Sequence, residues 1–382
     1  MMTLRNCCCA RVGGVLLGWF ALSLSTANAQ HPPSPEVHPD HRVTFRFSAP
    51  KASEVILHGD WYAPGNGTEK MLKDDKGVWS LTVGPLEPNI YVYWFDVDGM
   101  EFVIDPKNPW IKQASMTTGT QNLFEVPGSG ADYLDVKPVP HGEVRKVWYQ
   151  STALGWARRM HVYTPPGYEL SRDRYPVLYL LNGGGEDDSG WADAGRTNFI
   201  LDNLLAQGKA KPMIVVMPNA FAVNPVNPLS TPQGPDSVDR FREDFFKDVI
   251  PYVEKNYRVL PDRAHRAIGG LTLAPNLLLG TALGHLDMFS YIAVTSNGLR
   301  PESKDDFEKQ YRKTLDTPEG RAKIKLFWIG SGIDDRGNPS SRLLAEVLKQ
   351  YGVNVVYRES SGGHALTNFR LYLSEFAPLL FR

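Results

Sequence analysis

Cysteine is the scarcest residue in this sequence: three are present, at positions 7, 8 and 9, and none follows them. All three lie within the N-terminal segment that we expect to be removed, so the remaining chain contains no thiol. This absence excludes disulfides, a thiolate metal site and a cysteine nucleophile in that chain. Long apolar runs are equally rare. The one candidate, Val12–Leu24, is too short to span a bilayer comfortably, and no later run reaches that length.

An excess of charge of either sign is also missing, since 41 basic and 42 acidic side chains leave a formal net charge of -1. This balance gives no electrostatic reason to expect nucleic acid or an anionic membrane as a partner. No histidine–carboxylate spacing of the H-E-x-x-H kind occurs, so we expect neither a metal nor another cofactor. The histidines at positions 31, 38 and 41 are more typical of a solvated tail than of a metal site.

The N-terminus has the order of a secretory signal peptide. Arg5 and Arg11 supply the positive charge, Val12–Leu24 is the apolar centre, and Ala27-Asn28-Ala29 is a small-residue cleavage site. We therefore interpret residues 1–29 as a signal peptide of a secreted or periplasmic protein. The Pro- and His-rich residues 30–41 are then predicted to be a flexible leader.

Residues 42–126 have an all-β pattern. Apolar and polar residues alternate in Val43–Phe47, Glu54–Leu57, Val78–Val83 and Ile90–Val97, and Asn, Asp and Gly turn residues separate these runs. Short strands at this spacing predict a small immunoglobulin-like β-sandwich. Residues 127–141, which begin Pro-Gly-Ser-Gly and contain Pro138 and Pro140, are interpreted as a linker.

From residue 142 to residue 382 strands and helices alternate, which predicts a doubly wound α/β domain. The strands are predicted at Val177–Leu181, Met213–Met217, Ala267–Gly269, Tyr291–Thr295 and Lys325–Ile329, all apolar enough to be buried on both faces. Helices are predicted at Asn198–Gln207, Asn276–Gly284, Ser340–Tyr351, Asn368–Leu380 and along a stripe from Phe241 to Val253.

Three loops at predicted strand ends have the pattern of an ester-hydrolysing site. Gly183-Gly184-Gly185 can direct backbone N–H groups at an oxyanion. Residues 269–274, Gly-Gly-Leu-Thr-Leu-Ala, form the frame of a G-x-S-x-G nucleophile elbow with Thr272 in the place of serine. Two acidic residues, Asp334 and Asp335, and then His364 follow at later strand ends. The order nucleophile, acid, histidine is that of an α/β-hydrolase triad.

The same region resembles carbohydrate esterase family one, which includes feruloyl and acetyl xylan esterases, and it is also similar to esterase D and enterochelin esterase. The residues that carry this likeness are Tyr179–Leu181, Gly183–Gly185, Trp191, Lys211–Asn219, His285–Ile292, Leu326–Gly330 and Phe376–Phe381. Residues 42–126 resemble the early-set sandwich of such esterases and of glycogen-branching and isoamylase enzymes. In that fold the sandwich is a carbohydrate-binding module in some proteins and only a packing partner in others.

The resemblance implies a role for each site residue. Thr272 takes the nucleophile position, Asp335 the acid, with Asp334 as its competitor, and His364 the base. The backbone of Leu273 and of Gly183 and Gly184 would form the oxyanion hole. Asn182 and Trp191, on either side of the glycines, are the expected substrate-binding residues, with Trp191 interpreted either as a cleft wall or as a cap on the core. The implied partner is a plant polysaccharide or another glycan ester.

Five residues depart from the family pattern: Thr272 replaces serine, Asn182 replaces a histidine, Ala274-Pro275 replace a small glycine pair and Leu366 replaces an aromatic residue. A nucleophile elbow holds its residue in strained backbone geometry that a β-branched side chain tolerates poorly. The leading hypothesis is a catalytically impaired esterase that binds glycan esters. The alternatives are an active ester hydrolase that uses Thr272 or another hydroxyl such as Ser296, and an interaction role without sugar.

The signal-peptide interpretation gives a first prediction. Exported protein is expected to begin at Gln30, because the small-residue cleavage site ends at Ala29. N-terminal sequencing of secreted material is the measurement, and an intact Met1 in that material would contradict the prediction.

Overall fold

The N-terminal part of the chain folds into two antiparallel sheets that enclose a core of aromatic and β-branched side chains. The structure is a computed structural model that describes residues 33–61, 67–113, 119–184, 186–228, 236–271 and 275–382. The first ten strands are β1 (Glu36–Val37), β2 (Val43–Ser48), β3 (Val55–Gly59), β4 (Gly67–Lys70), β5 (Leu72–Lys73), β6 (Val78–Val83), β7 (Asn89–Val97), β8 (Met100–Val103), β9 (Ile111–Lys112) and β10 (Gln121–Val126). They form one sheet in the order β1-β2-β6-β5 and another in the order β4-β3-β7-β10-β9, with β8 beside β7.

Strand β7 shows how the period-two pattern of side chains divides two cores. Tyr91, Tyr93 and Phe95 point between the two sheets and pack there with residues such as Phe45. The alternate residues Ile90, Val92 and Trp94 point to the opposite face, where they join the core of the following domain. This face of the sandwich is therefore covered by protein, as expected of a packing partner.

The prediction that residues 30–41 form a flexible leader is wrong for the later part of that range. Strand β1 pairs antiparallel with β2, and the hydroxyl of Ser34, itself buried, donates a hydrogen bond to Asp105 at 2.8 Å. His38 lies 2.7 Å from the hydroxyl of Thr44. A two-residue edge strand is too short to produce a periodic pattern, so it could not be predicted from the sequence. Residues 1–29, and with them the expected signal peptide, lie outside the described residues.

The C-terminal part contains an eight-stranded mixed sheet. Its strands are β11 (Glu143–Gln150), β12 (Ala157–Thr164), β13 (Val177–Leu181), β14 (Ile214–Pro218), β15 (Arg266–Leu271), β16 (Tyr291–Thr295), β17 (Leu326–Gly332) and β18 (Val355–Ser360). Their order is β11-β12-β14-β13-β15-β16-β17-β18, and only β12 runs antiparallel to its neighbours. This is the α/β-hydrolase class predicted from the sequence. The exposed, charged strand β11 and its partner β12 escaped the sequence analysis because neither is a continuous apolar run.

Within the described residues, the α-helices that connect and cover these strands are α1 (Thr197–Ala206), α2 (Ser237–Asp244), α3 (Ile250–Asn256), α4 (Pro275–Leu283), α5 (Lys304–Leu315), α6 (Pro318–Ala322), α7 (Asn338–Gln350) and α8 (Leu366–Phe376). A π-helical turn, Phe245–Val249, joins α2 to α3. Pro251 has no N–H to donate to a preceding carbonyl, and the wider turn lies directly before it. The predicted stripe from Phe241 to Val253 is buried against the sheet. None of the helices in the described part of the chain combines the length and the apolar character needed to cross a membrane.

The expected linker, residues 127–141, is packed against α1. His141 lies 2.9 Å from the buried carboxylate of Asp202, and the amide of Asn203 donates to the carbonyls of Tyr133 and Asp135, at 3.0 Å each. These contacts fix the connection between the sandwich and the α/β sheet, and residues 33–382 form one compact unit.

Asp60, at the end of β3, gives a prediction about stability. Its carboxylate accepts the backbone N–H of Val92 at 2.9 Å, and burial raises its pKa from 3.8 to about 6 despite the nearby charges of Arg370 and Lys112. The folded state therefore holds this proton more tightly than the unfolded chain, so the contribution of Asp60 to the free energy of unfolding decreases as the pH rises from about 4 to about 6. Asp60→Asn is expected to stabilise the protein more at pH 8 than at pH 5.

Urea unfolding at the two pH values measures this difference, with Asp75→Asn, an exposed turn residue of the same sandwich, as the control. An Asp60→Asn effect of equal size at both pH values would contradict the assignment.

Candidate active site

The carboxyl ends of four parallel strands bring the predicted loops to one edge of the sheet. The glycine run follows β13, the elbow sequence follows β15, the acidic pair follows β17 and His364 follows β18. Ligand sites of open α/β sheets lie at this edge. Thr272, Leu273 and Ala274 of the elbow lie outside the described residues, as does Gly185. The described residues therefore form the surroundings of the elbow sequence.

Asp335 and His364 form a direct pair. Nδ1 of His364 lies 3.0 Å from one oxygen of the Asp335 carboxylate and 3.1 Å from the other. Asp335 is buried, whereas the ring of His364 is partly exposed. A carboxylate that holds Nδ1 of a histidine fixes the ring so that Nε2 can act as a base.

The environment of Asp335 keeps its carboxylate ionised. Burial alone would raise the pKa of Asp335, but the hydrogen bond and charge of His364, the hydroxyl of Ser296 and the backbone N–H of Gly337 outweigh it. The pKa consequently lies below its ordinary value. The N–H of Gly337 donates to the carboxylate at 2.7 Å. An anion held in this way is suited to stabilise a histidine that gains a proton.

The acid and histidine loops approach so closely that one position must be glycine. A Cβ on Gly332 would lie 2.2 Å from the carbonyl oxygen of Gly362, which requires the backbones to separate. The N–H of Asp334 donates to that same carbonyl at 3.0 Å. Gly362 has a φ of 81°, a conformation that favours glycine. These contacts place the Asp335 side chain against the His364 ring.

Asn368 is a supporting residue that the sequence analysis did not single out. Its amide donates to the carbonyl of Gly363 at 2.9 Å and its oxygen accepts the hydroxyl of Ser360 at 3.1 Å. It thus joins the two ends of the loop that carries His364. The sequence offered one signal for this role, an asparagine four residues after His364, at the start of a predicted helix.

The structure separates the competing candidates. Asp334, the alternative acid, is exposed and its side chain does not make the contact with His364 that Asp335 makes. Ser296, the alternative hydroxyl, is buried at the end of β16 and lies beside the Asp335 carboxylate. Asp335 contacts Nδ1 of His364, whereas a nucleophile must lie near Nε2 on the other side of the ring. A hydroxyl beside the Asp335 carboxylate is therefore not placed to act as the nucleophile.

The glycine loop lies against the strand that leads to the elbow. A Cβ on Gly183 would lie 3.2 Å from the Cβ of Leu271, the last described residue before the elbow. A Cβ on Gly184 would have no heavy atom of the described residues within 4 Å. One glycine therefore allows close packing beside Leu271, and the next has no described heavy atom against the Cβ position.

Asn182 supports this loop from within the protein. The side chain is buried; its amide donates to the carbonyls of Glu186, at 2.6 Å, and Gly183, at 3.2 Å, and its oxygen accepts the N–H of Ala220 at 2.8 Å. These three bonds join the loops after β13 and β14. The Asn182 side chain, which was predicted to bind substrate, therefore forms hydrogen bonds with the backbone of these loops.

Trp191 is not the exposed aromatic residue that its polar surroundings suggested. The side chain is 1% exposed, packs in the apolar core, and donates its indole N–H to the carbonyl of Leu181 at 3.0 Å. Of the two interpretations of Trp191, this position agrees with the cap on the core. The neighbouring Asp residues made the segment appear solvated, although their charges are paired.

That pairing fixes the segment after the glycines. Arg159 of β12 donates Nε and Nη2 to the carboxylate of Asp188, at 2.7 and 2.9 Å, and Nη2 also to Asp187 at 2.7 Å. His161, on the same face of β12, lies 3.0 Å from Asp188. Burial would raise the pKa of Asp188, but His161 and Arg159 lower it. A bidentate, partly buried pair of this kind provides more rigidity than an exposed one.

Comparison with known proteins gives a consistent result. A family model described as "Putative esterase" matches residues 151–376. The chain is 30% identical over 370 residues to an endo-1,4-beta-xylanase/feruloyl esterase of Xylanibacter ruminicola. The matched region covers 91% of this chain but only 46% of that protein. The chain therefore spans less than half the length of this curated relative.

Two solved structures support the same fold. A ferulic acid esterase superposes with a TM-score of 0.53 at 26% identity, covering 63% of this chain and 97% of its own. The enterochelin esterase from Shigella flexneri has a TM-score of 0.65 and covers 93% of this chain and 96% of its own. At 15% identity the latter likeness concerns the fold alone.

The assignment of Asp335 is testable without any substrate. Asp335→Ala is expected to remove the low-field proton resonance of the His364 Nδ1–H, because the acceptor of that proton is lost. Asp334→Ala is the matched control and is expected to retain the signal. Proton NMR is the measurement, and loss of the same resonance in Asp334→Ala alone would reverse the assignment.

Proposed function

Because this chain belongs to the esterase family, in agreement with its resemblance to carbohydrate esterase family one, we propose that it binds carboxylic esters of plant polysaccharides and hydrolyses them slowly. The observation that carries the hydrolytic part is the pair formed by His364 and the buried Asp335 carboxylate. The slow rate is inferred from threonine at the nucleophile position. Feruloyl esters are the substrates for which two of the similar proteins are named, and the resemblance to carbohydrate esterase family one adds acetyl esters. The expected signal peptide would place this activity outside the cell.

With a competent nucleophile at the elbow, as expected in a Thr272→Ser variant, the chemistry assigns one role to each group. His364, oriented by Asp335, would take the proton of the attacking hydroxyl through Nε2 as the hydroxyl oxygen bonds to the ester carbonyl carbon. Backbone N–H groups of the glycine loop would stabilise the oxyanion. His364 would then give its proton to the leaving alcohol. Water, activated by the same histidine, would release the acid and restore the hydroxyl.

Thr272 is the residue expected to limit this sequence of steps. Strained backbone at an elbow costs on the order of 1–3 kcal/mol, and a β-branched side chain adds to that difficulty. The additional methyl group restricts the rotamer of the hydroxyl and crowds the acyl group. In serine proteases, loss of the nucleophile lowers kcat by about 10⁶, while the oxyanion hole and binding alone retain roughly 10³–10⁴-fold catalysis over water. A weak rate is thus compatible with an impaired nucleophile.

The other departures from the family pattern carry less weight. Asn182 makes three hydrogen bonds that hold the loop. A neutral histidine has one ring donor and one ring acceptor, so it would replace only two of them. Asn182→His is therefore not expected to raise the rate.

A fully active esterase that uses Thr272 is the second candidate function. It is favoured by the acid–base pair itself, because an ionised Asp335 that holds Nδ1 of His364 gives the ring the orientation that a working nucleophile requires. An interaction role without sugar is the third, and it predicts no binding of feruloylated or acetylated xylo-oligosaccharides in calorimetry.

The comparison of Thr272 variants decides between the first two functions. Thr272→Ser is expected to hydrolyse an activated feruloyl or acetyl ester at least about tenfold faster than the unaltered chain, because the hindering methyl group is absent. Thr272→Ala is expected to match the unaltered chain, whose residual rate does not use the hydroxyl. Initial rates of the purified chains are the measurement.

Two results would contradict the proposal. If Thr272→Ala abolishes a substantial rate, Thr272 is a working nucleophile and the second candidate is correct. If Thr272→Ser is as slow as Thr272→Ala, the site around the elbow is not a hydrolytic site.

A further inference from the structure

Two charged contacts connect the N-terminal sandwich to the loops of the candidate active site. The first joins β9 to the segment after the glycines. The ammonium group of Lys112 lies 3.5 Å from the carboxylate of Glu186, and both side chains are buried. Glu186 is only two residues beyond Gly184. A residue of the sandwich thus contacts the immediate surroundings of the oxyanion loop.

Glu186 is bonded to that loop through its own backbone. Its carbonyl accepts the Asn182 amide at 2.6 Å, and its N–H donates to the carbonyl of Gly183 at 3.3 Å. Its side chain has little room to move, because a Cβ on Gly190 would lie 2.6 Å from a Glu186 carboxylate oxygen. A shift of the Glu186 side chain would therefore be transmitted to Gly183.

The second contact joins β7 to the segment that carries His364. Arg370 lies on α8, six residues after His364, and is fully buried. Its Nη1 donates to the carbonyl of Ile90 at 2.6 Å and to the side chain of Asn89 at 3.0 Å. Its Nε donates to the carbonyl of Ala194 at 2.8 Å. One guanidinium group thus joins the sandwich, the histidine helix and the segment after the glycines.

The electrostatics make these contacts depend on each other. Burial lowers the pKa of Arg370, while the negative charges of Asp60 and Glu186 act in the opposite direction. A buried carboxylate or guanidinium group is costly unless an opposite charge accompanies it. Glu186 and Arg370 receive part of that compensation from Lys112 and Asp60, which only the docked sandwich provides.

We propose that the sandwich positions both ester-hydrolysing loops, with Lys112 and Glu186 setting the oxyanion loop and Arg370 setting the segment of His364. The role of the sandwich in catalysis is then to fix geometry, independently of any sugar that it binds. Lys112, Glu186 and Arg370 are positioning residues that do not touch the substrate. The catalytic consequence rests on the function proposed above, whereas the effect on loop order does not.

Hydrogen exchange of the full chain, read by mass spectrometry, tests the positioning directly. Lys112→Met keeps an apolar stem and removes the charge, which leaves the Glu186 carboxylate without its lysine. Exchange in residues 182–190 is expected to rise about tenfold, while strands of the α/β sheet retain their protection. Lys107→Met, at an exposed lysine of the same sandwich, is the control. The double variant Lys112→Met/Glu186→Gln has no buried carboxylate that lacks its lysine. Hydrogen exchange in residues 182–190 of this variant is expected to return toward the value of the unaltered chain.

The second contact has its own variant. Asn89→Ala removes one acceptor of Arg370 and is expected to raise exchange in residues 364–372. Unchanged exchange in both segments overturns the proposal. A uniform rise over the whole chain also overturns it, since that result indicates only lower global stability.

Kinetics in a Thr272→Ser chain test the catalytic consequence. Addition of Lys112→Met is expected to lower kcat for a small aryl ester several-fold with KM unchanged, and Glu186→Gln is expected to restore part of kcat. Unaltered kcat together with faster loop exchange overturns the catalytic role of the sandwich. If Thr272→Ser itself shows no hydrolysis, the proposed function fails, and the exchange measurements still decide whether the sandwich orders the loops.

Discussion

The hydrogen bond between the Asp335 carboxylate and Nδ1 of His364 is the interaction around which this structure is organised. It requires two loops that follow adjacent parallel strands, β17 and β18, to approach until no side chain fits at Gly332. Because the carboxylate is buried, it needs hydrogen-bond donors, and the His364 ring and the N–H of Gly337 provide them. The sheet order, the glycines and the packing of α8 all serve to hold this pair.

Around that pair, the chain uses charges to fix segments that lack regular structure. The residues after the glycine run are held on one side by Arg159 and on the other by Lys112. A loop cannot be fixed by backbone ladders, so directional side-chain contacts must take their place. Through Lys112, the sandwich is therefore part of the support of this segment.

The sequence predicted the fold class well because buried strands and amphipathic helices have distinct periods. Val177–Leu181 and Tyr291–Thr295 were predicted at the bounds that the structure has, and the helix before Gln207 was predicted to within one residue at each end. Strands β11 and β12 and the edge strand β1 were missed, since exposed or very short strands carry little hydrophobic signal. The acidic neighbours of Trp191 suggested an exposed loop, but Asp188 is paired with Arg159, which is distant in sequence, and Trp191 is buried.

What the sequence by itself determined is the order of the functional groups: a glycine loop, an elbow with threonine, an acid and a histidine at successive strand ends. Chain order fixes these because parallel strands deliver their carboxyl ends to one edge. Only the tertiary structure showed that Asp335, and not Asp334, contacts His364, since adjacent residues point in different directions and sequence spacing does not distinguish them. It also revealed Glu186 and Arg370, whose partners lie 74 to 281 positions away, because contacts across such distances follow from the packing of one domain on another.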